Sequence, residues 1–206
     1  TSLCCLAVFL AVVPVIIGIG VQIARGFYQF NFPLYLTGFF SYLLPQMLEM
    51  VLFSYAIHLL VNNKFAGHAV GITIWVVMIL VSQFGYFEYN LLLFGHTPFI
   101  LFTDMDGAGH MIRPVLWYHG YWLIAGALMV VLAATFYTRG LSSTYKEKRQ
   151  LALERFQGPT RWGAILLFVV LLATGGYIYY NVSYLNEYLT QPEQHQRAAI
   201  EERQLK

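Results

Sequence analysis

The stretch from Phe102 to Trp122 holds many side chains capable of chemistry. Besides the glycines of its turn, Gly107 and Gly109, it contains two carboxylates, two imidazoles and one guanidinium, namely Asp104, Asp106, His110, His119 and Arg113. The order Asp-x-Asp-Gly is that of a calcium loop, but an EF-hand needs a further oxygen ligand and a later Glu, and Ala108 and Val115 stand there instead. A tight turn explains the same residues, because Asp bonds its own backbone and Gly accepts positive φ. A structural turn and a divalent-metal site both stay open.

A second group of polar side chains lies inside apolar runs. It consists of Gln46, Glu49, Ser54, His58, Gln83 and Glu88. Ionisable groups at membrane depth are candidates for function, because removing them from water is expensive. Glu49 and His58 are separated by about 900° of helical rotation, so they point to opposite faces of one helix and each needs another partner. A structural hydrogen bond to a neighbouring helix and the lining of a substrate path are both open for Glu49.

The chain has six histidines, which permit a rival hypothesis of a membrane redox protein that binds haem or metal. They are His58, His68, His96, His110, His119 and His195. His96, His110 and His119 are predicted near one membrane interface, together with an aromatic group (Trp117, Tyr118, Tyr121, Trp122) expected at headgroup level. No second histidine within the membrane is expected beside His58, as a haem between spans requires.

Signatures of enzymes do not occur in the sequence. The zinc-peptidase pattern His-Glu-x-x-His, a Walker-type phosphate loop and a Gly-x-Ser-x-Gly elbow are all missing. The two cysteines, Cys4 and Cys5, are adjacent in an apolar run, which argues against a structural disulfide or a zinc site. We therefore predict no enzymatic activity, no catalytic residue, and no cofactor or metal held by this chain.

The elements that must position these residues are apolar helices. With 58% hydrophobic and 11% charged residues, the 206-residue chain is typical of an integral membrane protein. Its net charge of +2 gives no cationic face for nucleic acid. We predict an all-α polytopic membrane protein with a transmembrane domain over 1–183, a polar tail over 184–206, and an aromatic interfacial re-entry from Phe27 to Phe40. The predicted spans, each near the length that crosses a bilayer, are 3–22, 39–61, 69–91, 114–137 and 162–180.

The basic residues predict the orientation. Six of the chain's twelve Lys and Arg residues lie between Thr138 and Arg161, and short loops rich in Lys and Arg stay in the cytoplasm. Alternation then places 62–68 in the cytoplasm and both 94–113 and the tail after Tyr180 outside it. The chain opens with Thr1 and a long apolar span, which we interpret as part of a longer protein.

Two motifs resemble a known bacterial family, in which a type-two ABC exporter permease is fused to a zinc peptidase of the aminopeptidase-N kind. The first is a Pro, then an aromatic-Thr-Asp-Met-Asp-Gly-x-Gly-His run, then Trp and Tyr-Trp, carried here by Pro98, Phe102, Thr103, Asp104, Met105, Asp106, Gly107, Gly109, His110, Trp117, Tyr121 and Trp122. The second is YYNVSYLNEYLT, from Tyr179 to Thr190, which is similar to the family's segment after the last span before the peptidase. The chain thus resembles the second membrane half of such a permease, without the peptidase.

The resemblance implies a function and partners. It implies alternating access driven by ATP at a partner ABC ATPase subunit, a second permease half or homodimer mate, and a location in the bacterial inner membrane. Asn63, Lys64, Lys148, Arg149 and Arg155 lie in the predicted cytoplasmic segments, and we expect them to couple to the ATPase. The loop residues Asp104, Asp106, Gly107, Gly109, His110 and Arg113 are expected to form an extracytoplasmic gate. A lipid, a peptide and a hydrophobic drug are all compatible substrates.

Overall fold

The computed structural model describes residues 2–61, 63–83, 90–98, 109–137 and 145–185. Their helices are α1 (Ser2–Ala24), α2 (Phe32–Gly38), α3 (Leu44–Leu60), α4 (Lys64–Gln83), α5 (Gly109–Phe136), α6 (Tyr145–Arg155) and α7 (Gly158–Tyr180). Five stretches are long and apolar enough to cross a membrane: Ser2–Ala24, Phe32–Leu60, Lys64–Ser82, Met111–Phe136 and Gly158–Leu185. The predicted all-α membrane architecture with five spanning helices is confirmed.

The outer surface of the bundle is apolar. Large hydrophobic side chains such as Ile72 on α4 and Leu166 on α7 are more than half exposed, and contiguous apolar surface of this kind mismatches water. A bilayer removes that mismatch because its hydrocarbon contacts the same side chains. Several buried positions hold small residues that let helices approach closely, namely Ala7, Ala11, Ala56, Ala133 and Ala164.

Helix α3 lies at the centre of the bundle. It packs against α1, α4 and α5, and α5 also packs against α7. Contacts between α3 and α5 advance in one direction along both helices, from the pair Glu49 and His119 to the pair Leu52 and Gly126, so these two helices are parallel. Contacts between α5 and α7 advance in opposite directions (Trp117 with Tyr177, Tyr121 with Gly175), so that pair is antiparallel.

The segment predicted as an interfacial re-entry divides into a connection and a helix. Helix α2 begins at Phe32, where the Asn31 side chain accepts from the Leu34 amide at 3.3 Å and Pro33 occupies a first-turn position that tolerates proline. A π-helical segment, Phe39–Leu43, joins α2 to α3, and the Ser41 hydroxyl donates to the carbonyl of Thr37 at 2.5 Å. The second span therefore begins at Phe32 rather than at residue 39.

The third span also differs from its prediction of 69–91. Helix α4 begins at Lys64, because Asn63 accepts from the amides of Phe65 and Ala66 at 2.9 and 3.3 Å and so caps the helix. The helix runs to Gln83, and residues 90–98 form turns and extended chain. The predicted end of this span, Leu91, lies in a turn, so apolar composition alone placed the end of the span too far along the chain.

A shorter helix lies in the basic segment between the last two spans. Helix α6 packs against α5, with Ala152 buried and Leu153 exposed. The Arg155 guanidinium donates to the carbonyl of Tyr137 near the end of α5. Since α3 and α5 are parallel and α4 follows α3 directly, α6 lies at the same end of the bundle as the start of α4.

Candidate functional site

The polar centre of the bundle is a contact between Glu49 on α3 and His119 on α5. Glu49 Oε1 and His119 Nδ1 are 2.7 Å apart. Their exposed fractions are 0% and 1%, which makes them the two largest fully buried side chains among the described residues. Sequence reasoning required a partner for Glu49 on another helix, and His119 is that partner.

This contact corrects the predicted position of His119. His119 is buried inside the span Met111–Phe136 rather than placed at an interface. A second histidine within the membrane therefore accompanies His58. Trp122 and Tyr118, expected at headgroup level, are also buried, whereas Trp117 is exposed. The aromatic group therefore packs partly inside the bundle and belongs to the surroundings of the pair.

Each partner retains one polar atom without a hydrogen bond among the described residues. These atoms are Glu49 Oε2 and His119 Nε2, both fully buried. The Tyr42 ring meets the His119 ring edge-on, with centroids 5.8 Å apart. Buried polar atoms are nearly always partnered in proteins, so two orphan atoms in one pair mark a site with unfilled bonding capacity.

Residues 91–98 fold back into the bundle and cover this pair; we call them the re-entrant cover. Gln46 donates to the carbonyl of Gly95 at 3.2 Å, and the Trp122 indole donates to the carbonyl of His96 at 2.9 Å. Phe94 stacks on Phe53 with ring centroids 5.2 Å apart and meets Trp122 at the same centroid distance. Side chains of α3 and α5 therefore hold the cover by its backbone and by its aromatic ring.

The depth of the cover follows from these contacts. Phe53 and Trp122 come about one helical turn after Glu49 and His119 along two parallel helices, so Phe94 lies about 5 Å beyond the pair. Non-helical backbone at membrane depth is tolerated where protein buries it or where it lines a cavity. The hydrogen bonds from Gln46 and Trp122 meet that requirement, because they satisfy two of its carbonyls.

Gly95 brings the cover into contact with the carboxylate. Gly95 has a φ of +74, a backbone conformation that glycine adopts without strain. A Cβ atom placed there would lie 3.5 Å from Glu49 Oε2 and 3.4 Å from Gln46 Nε2. The orphan carboxylate oxygen therefore faces the backbone of the cover.

A cavity of about 240 Å³ adjoins the cover. Its walls combine aromatic and polar side chains from α3, α4 and the cover, including Gln46, Met50, Trp75, Phe94, His96 and Thr97. Burial lowers the pKa of His96 below its ordinary value, because the protonated ring loses solvation. Gly95 lines this cavity and lies next to Glu49, so the cavity and the pair are adjacent.

Two further histidines meet at the opposite end of α3. The rings of His58 and His68 are in edge-on contact with centroids 4.6 Å apart, and His58 Nδ1 lies 2.8 Å from the carbonyl of Ser54. Gly67 allows this contact, since a Cβ there would lie 3.2 Å from the His58 ring. Among the residues that the structure describes, no three His, Cys, Asp or Glu side chains form a group that could hold a metal ion.

The remaining predicted positions are distributed over both ends. Ser54 is exposed on α3, and Gln83 ends α4. Glu88, Asp104, Asp106 and Gly107 lie outside the described residues. Gly109 begins α5, His110 follows within that helix, and Arg113 is exposed on it. The structure therefore describes one flank of the predicted gate loop.

The predicted coupling residues occupy the start of α4 and helix α6. Asn63 caps α4, and the Lys64 ammonium lies 5.0 Å from the centroid of the Phe65 ring. Arg149 and Arg155 are exposed on α6, and Lys148 lies in the same helix. These positions form a basic group at one end of the bundle.

Sequence reasoning missed the cover and the role of His119. His119 lies several residues inside the predicted span 114–137, so the rule that singled out Glu49 applied to it equally. The cover could be anticipated only from Gly95, a glycine that interrupts an apolar run and so indicates a break in regular structure. A scan against protein-family models gave no match, and searches among curated proteins and solved structures found no significantly similar protein.

Proposed function

We propose that this chain is one membrane half of an ATP-driven ABC-type exporter permease that moves its substrate by alternating access. The observation that carries the proposal is the buried Glu49–His119 pair beneath the re-entrant cover. Ionisable side chains and irregular backbone at membrane depth mark solute pathways, because both are costly in a helix bundle that serves only as an anchor.

The exporter class rests on sequence resemblance together with the basic end of the bundle. The resemblance supplies the ABC family, the partner ATPase and the inner-membrane location. The exposed Arg149 on α6 and Lys64 at the start of α4 offer cationic side chains at one end, where an ATPase would dock. The cavity of about 240 Å³ beside the cover is small for a transport pathway, which supports a second permease half or a homodimer mate in the working transporter.

The test is substrate-stimulated ATP hydrolysis in vesicles that contain the full protein and its ATPase. Lipids, hydrophobic peptides and hydrophobic drugs form the substrate panel. Replacing Lys64 and Arg149 with alanine should lower the stimulation without changing the melting temperature. Arg25→Ala is the matched control, because Arg25 is an exposed arginine at the opposite end of the bundle. No stimulation by any panel member, or an equal loss in the control, would count against the proposal.

The orientation in the bilayer is tested separately. We expect 138–161 in the cytoplasm and the tail outside it, so an impermeant thiol reagent applied to intact cells should modify a cysteine placed at Gln194 and spare one at Ser143. The opposite labelling pattern would overturn the proposed topology.

A membrane redox protein is the second candidate, favoured by the contact between His58 and His68. Absorption spectroscopy and metal analysis of the purified protein distinguish it from the permease. A Soret band or a stoichiometric transition metal that His58→Ala removes would favour the redox function.

A further inference from the structure

The net charge of the buried Glu49–His119 pair depends on how many protons the pair holds. A 2.7 Å hydrogen bond between Nδ1 and Oε1 requires one shared proton. With that proton alone the pair carries one net negative charge. A second proton, on Oε2 or on Nε2, makes the pair neutral in either arrangement.

Fixed charges near the pair are missing from the spans that surround it. Beyond their first five residues, the described helices α1, α4, α5 and α7 contain no Asp, Glu, Lys or Arg. Among the described titratable groups of packed elements, Tyr42 on the π-helical segment contacts the His119 ring, and His96 follows Gly95 on the cover and lines the cavity. Arg113 is exposed near the start of α5. An uncompensated charge in a buried site is expensive, so the covered pair is stable with two protons.

Displacing the cover changes this balance. Gly95 lines the cavity and lies next to Glu49 Oε2, so moving the cover away connects the carboxylate with water in the cavity. Water stabilises the net negative charge that the covered site disfavours. The second proton then leaves Oε2 or Nε2 for a water molecule, and the pair keeps the proton of its hydrogen bond.

We propose that the Glu49–His119 pair is a proton-binding site that takes up one proton when the re-entrant cover closes and releases it when the cover opens. The ligand of this site is the proton. The inference goes beyond the proposed export function and does not depend on an ATPase, because it concerns only the equilibrium between covered and uncovered states of this chain.

Opening of the cover depends on pH in opposite directions for the Glu49–His119 pair and for His96. Release of a proton by the pair favours opening as pH rises, by at most about tenfold per pH unit for one proton. His96 acts in the opposite sense: its pKa is lowered in the covered state, so its protonation favours opening as pH falls.

Cysteine labelling of the full chain in lipid vesicles measures the opening. Thr97→Cys places a thiol in the cavity wall, and Leu92→Cys places one at an exposed position of the same segment. Both are made in a background with Cys4 and Cys5 replaced by serine. The labelling rate of Thr97→Cys is divided by that of Leu92→Cys at each pH between about 6 and about 9. This division cancels the pH dependence of thiol reactivity that both cysteines share.

The expected result is a ratio, Thr97→Cys over Leu92→Cys, that rises with pH. Glu49→Gln should abolish the rise, and His96→Gln should preserve it, since Trp122 bonds the backbone of His96. A flat ratio in the parent protein, a rise that survives Glu49→Gln, or a ratio that increases only as pH falls would overturn the proposal. Labelling of Leu92→Cys and a retained melting temperature show that each variant is folded, and the outcome is independent of transport.

Discussion

Replacing His119 with leucine is expected to destabilise the bundle by leaving Glu49 buried without its partner. Leucine fills most of the imidazole volume, so the packing change is small and the loss of the polar contact dominates. Glu49 has no exposed surface, and its neighbours in the cover already bond to other groups. The carboxyl group therefore gains no substitute partner unless the cover moves.

Two known free-energy values set the range expected for the stability lost in His119→Leu. A neutral hydrogen bond between membrane helices contributes about 0.6 kcal/mol on average, whereas removing one partner of a buried ion pair costs about 3 to 5 kcal/mol. Complete burial and the 2.7 Å contact place this pair closer to the second case. Protonation of the isolated carboxyl group relieves part of the penalty, so we expect a loss of about 3 kcal/mol.

A double-mutant cycle measures this quantity. The parent, Glu49→Leu, His119→Leu and the double variant are unfolded in mixed micelles of increasing SDS content, with tryptophan fluorescence as the signal. Because the double variant removes both polar groups, it should lose less free energy of unfolding than the two single variants together, by about 2 kcal/mol or more. Single losses below about 1 kcal/mol, or additivity within about 0.5 kcal/mol, would refute the reasoning.

The remaining predictions concern close packing and pH. Gly126→Ala should lower the free energy of unfolding by about 1 to 3 kcal/mol, because its Cβ would lie 3.0 Å from the Leu52 side chain. Leu52→Ala should relieve part of that loss. The control is Gly120→Ala on the same helix, where no atom lies within 4 Å of the new Cβ, and it should not change thermal unfolding measurably. Gly95→Ala should cost about 1 to 2 kcal/mol from its positive φ, and an unchanged melting temperature would show that the cover does not hold this conformation. Because the pKa of His96 is lowered in the folded protein, the contribution of neutral His96 to stability is full above its unfolded pKa of about 6.5 and is lost as pH falls below that value. His96→Gln should therefore make the free energy of unfolding less dependent on pH in this range. An equal pH dependence in the variant would show that His96 is not its source.

The sequence by itself determined the class of protein and the number of spans. Uninterrupted apolar segments cannot be satisfied in water, and a helix is the structure that pairs every backbone polar group within one segment. The same argument identified Glu49 as a group that needs a partner on another helix. These conclusions depend on composition and local spacing, which a single chain displays directly.

Tertiary structure decided which groups meet and where the helices end. The partner of Glu49 lies 70 positions away at His119, and the local sequence does not show which polar group of another helix meets the carboxylate. The cover lies where the sequence predicts the end of a span and the start of a loop, and only its contacts with Gln46 and Trp122 show that it packs into the bundle. Both features arise because α3 and α5 are parallel and adjacent, and that arrangement depends on long-range packing that local periodicity does not encode.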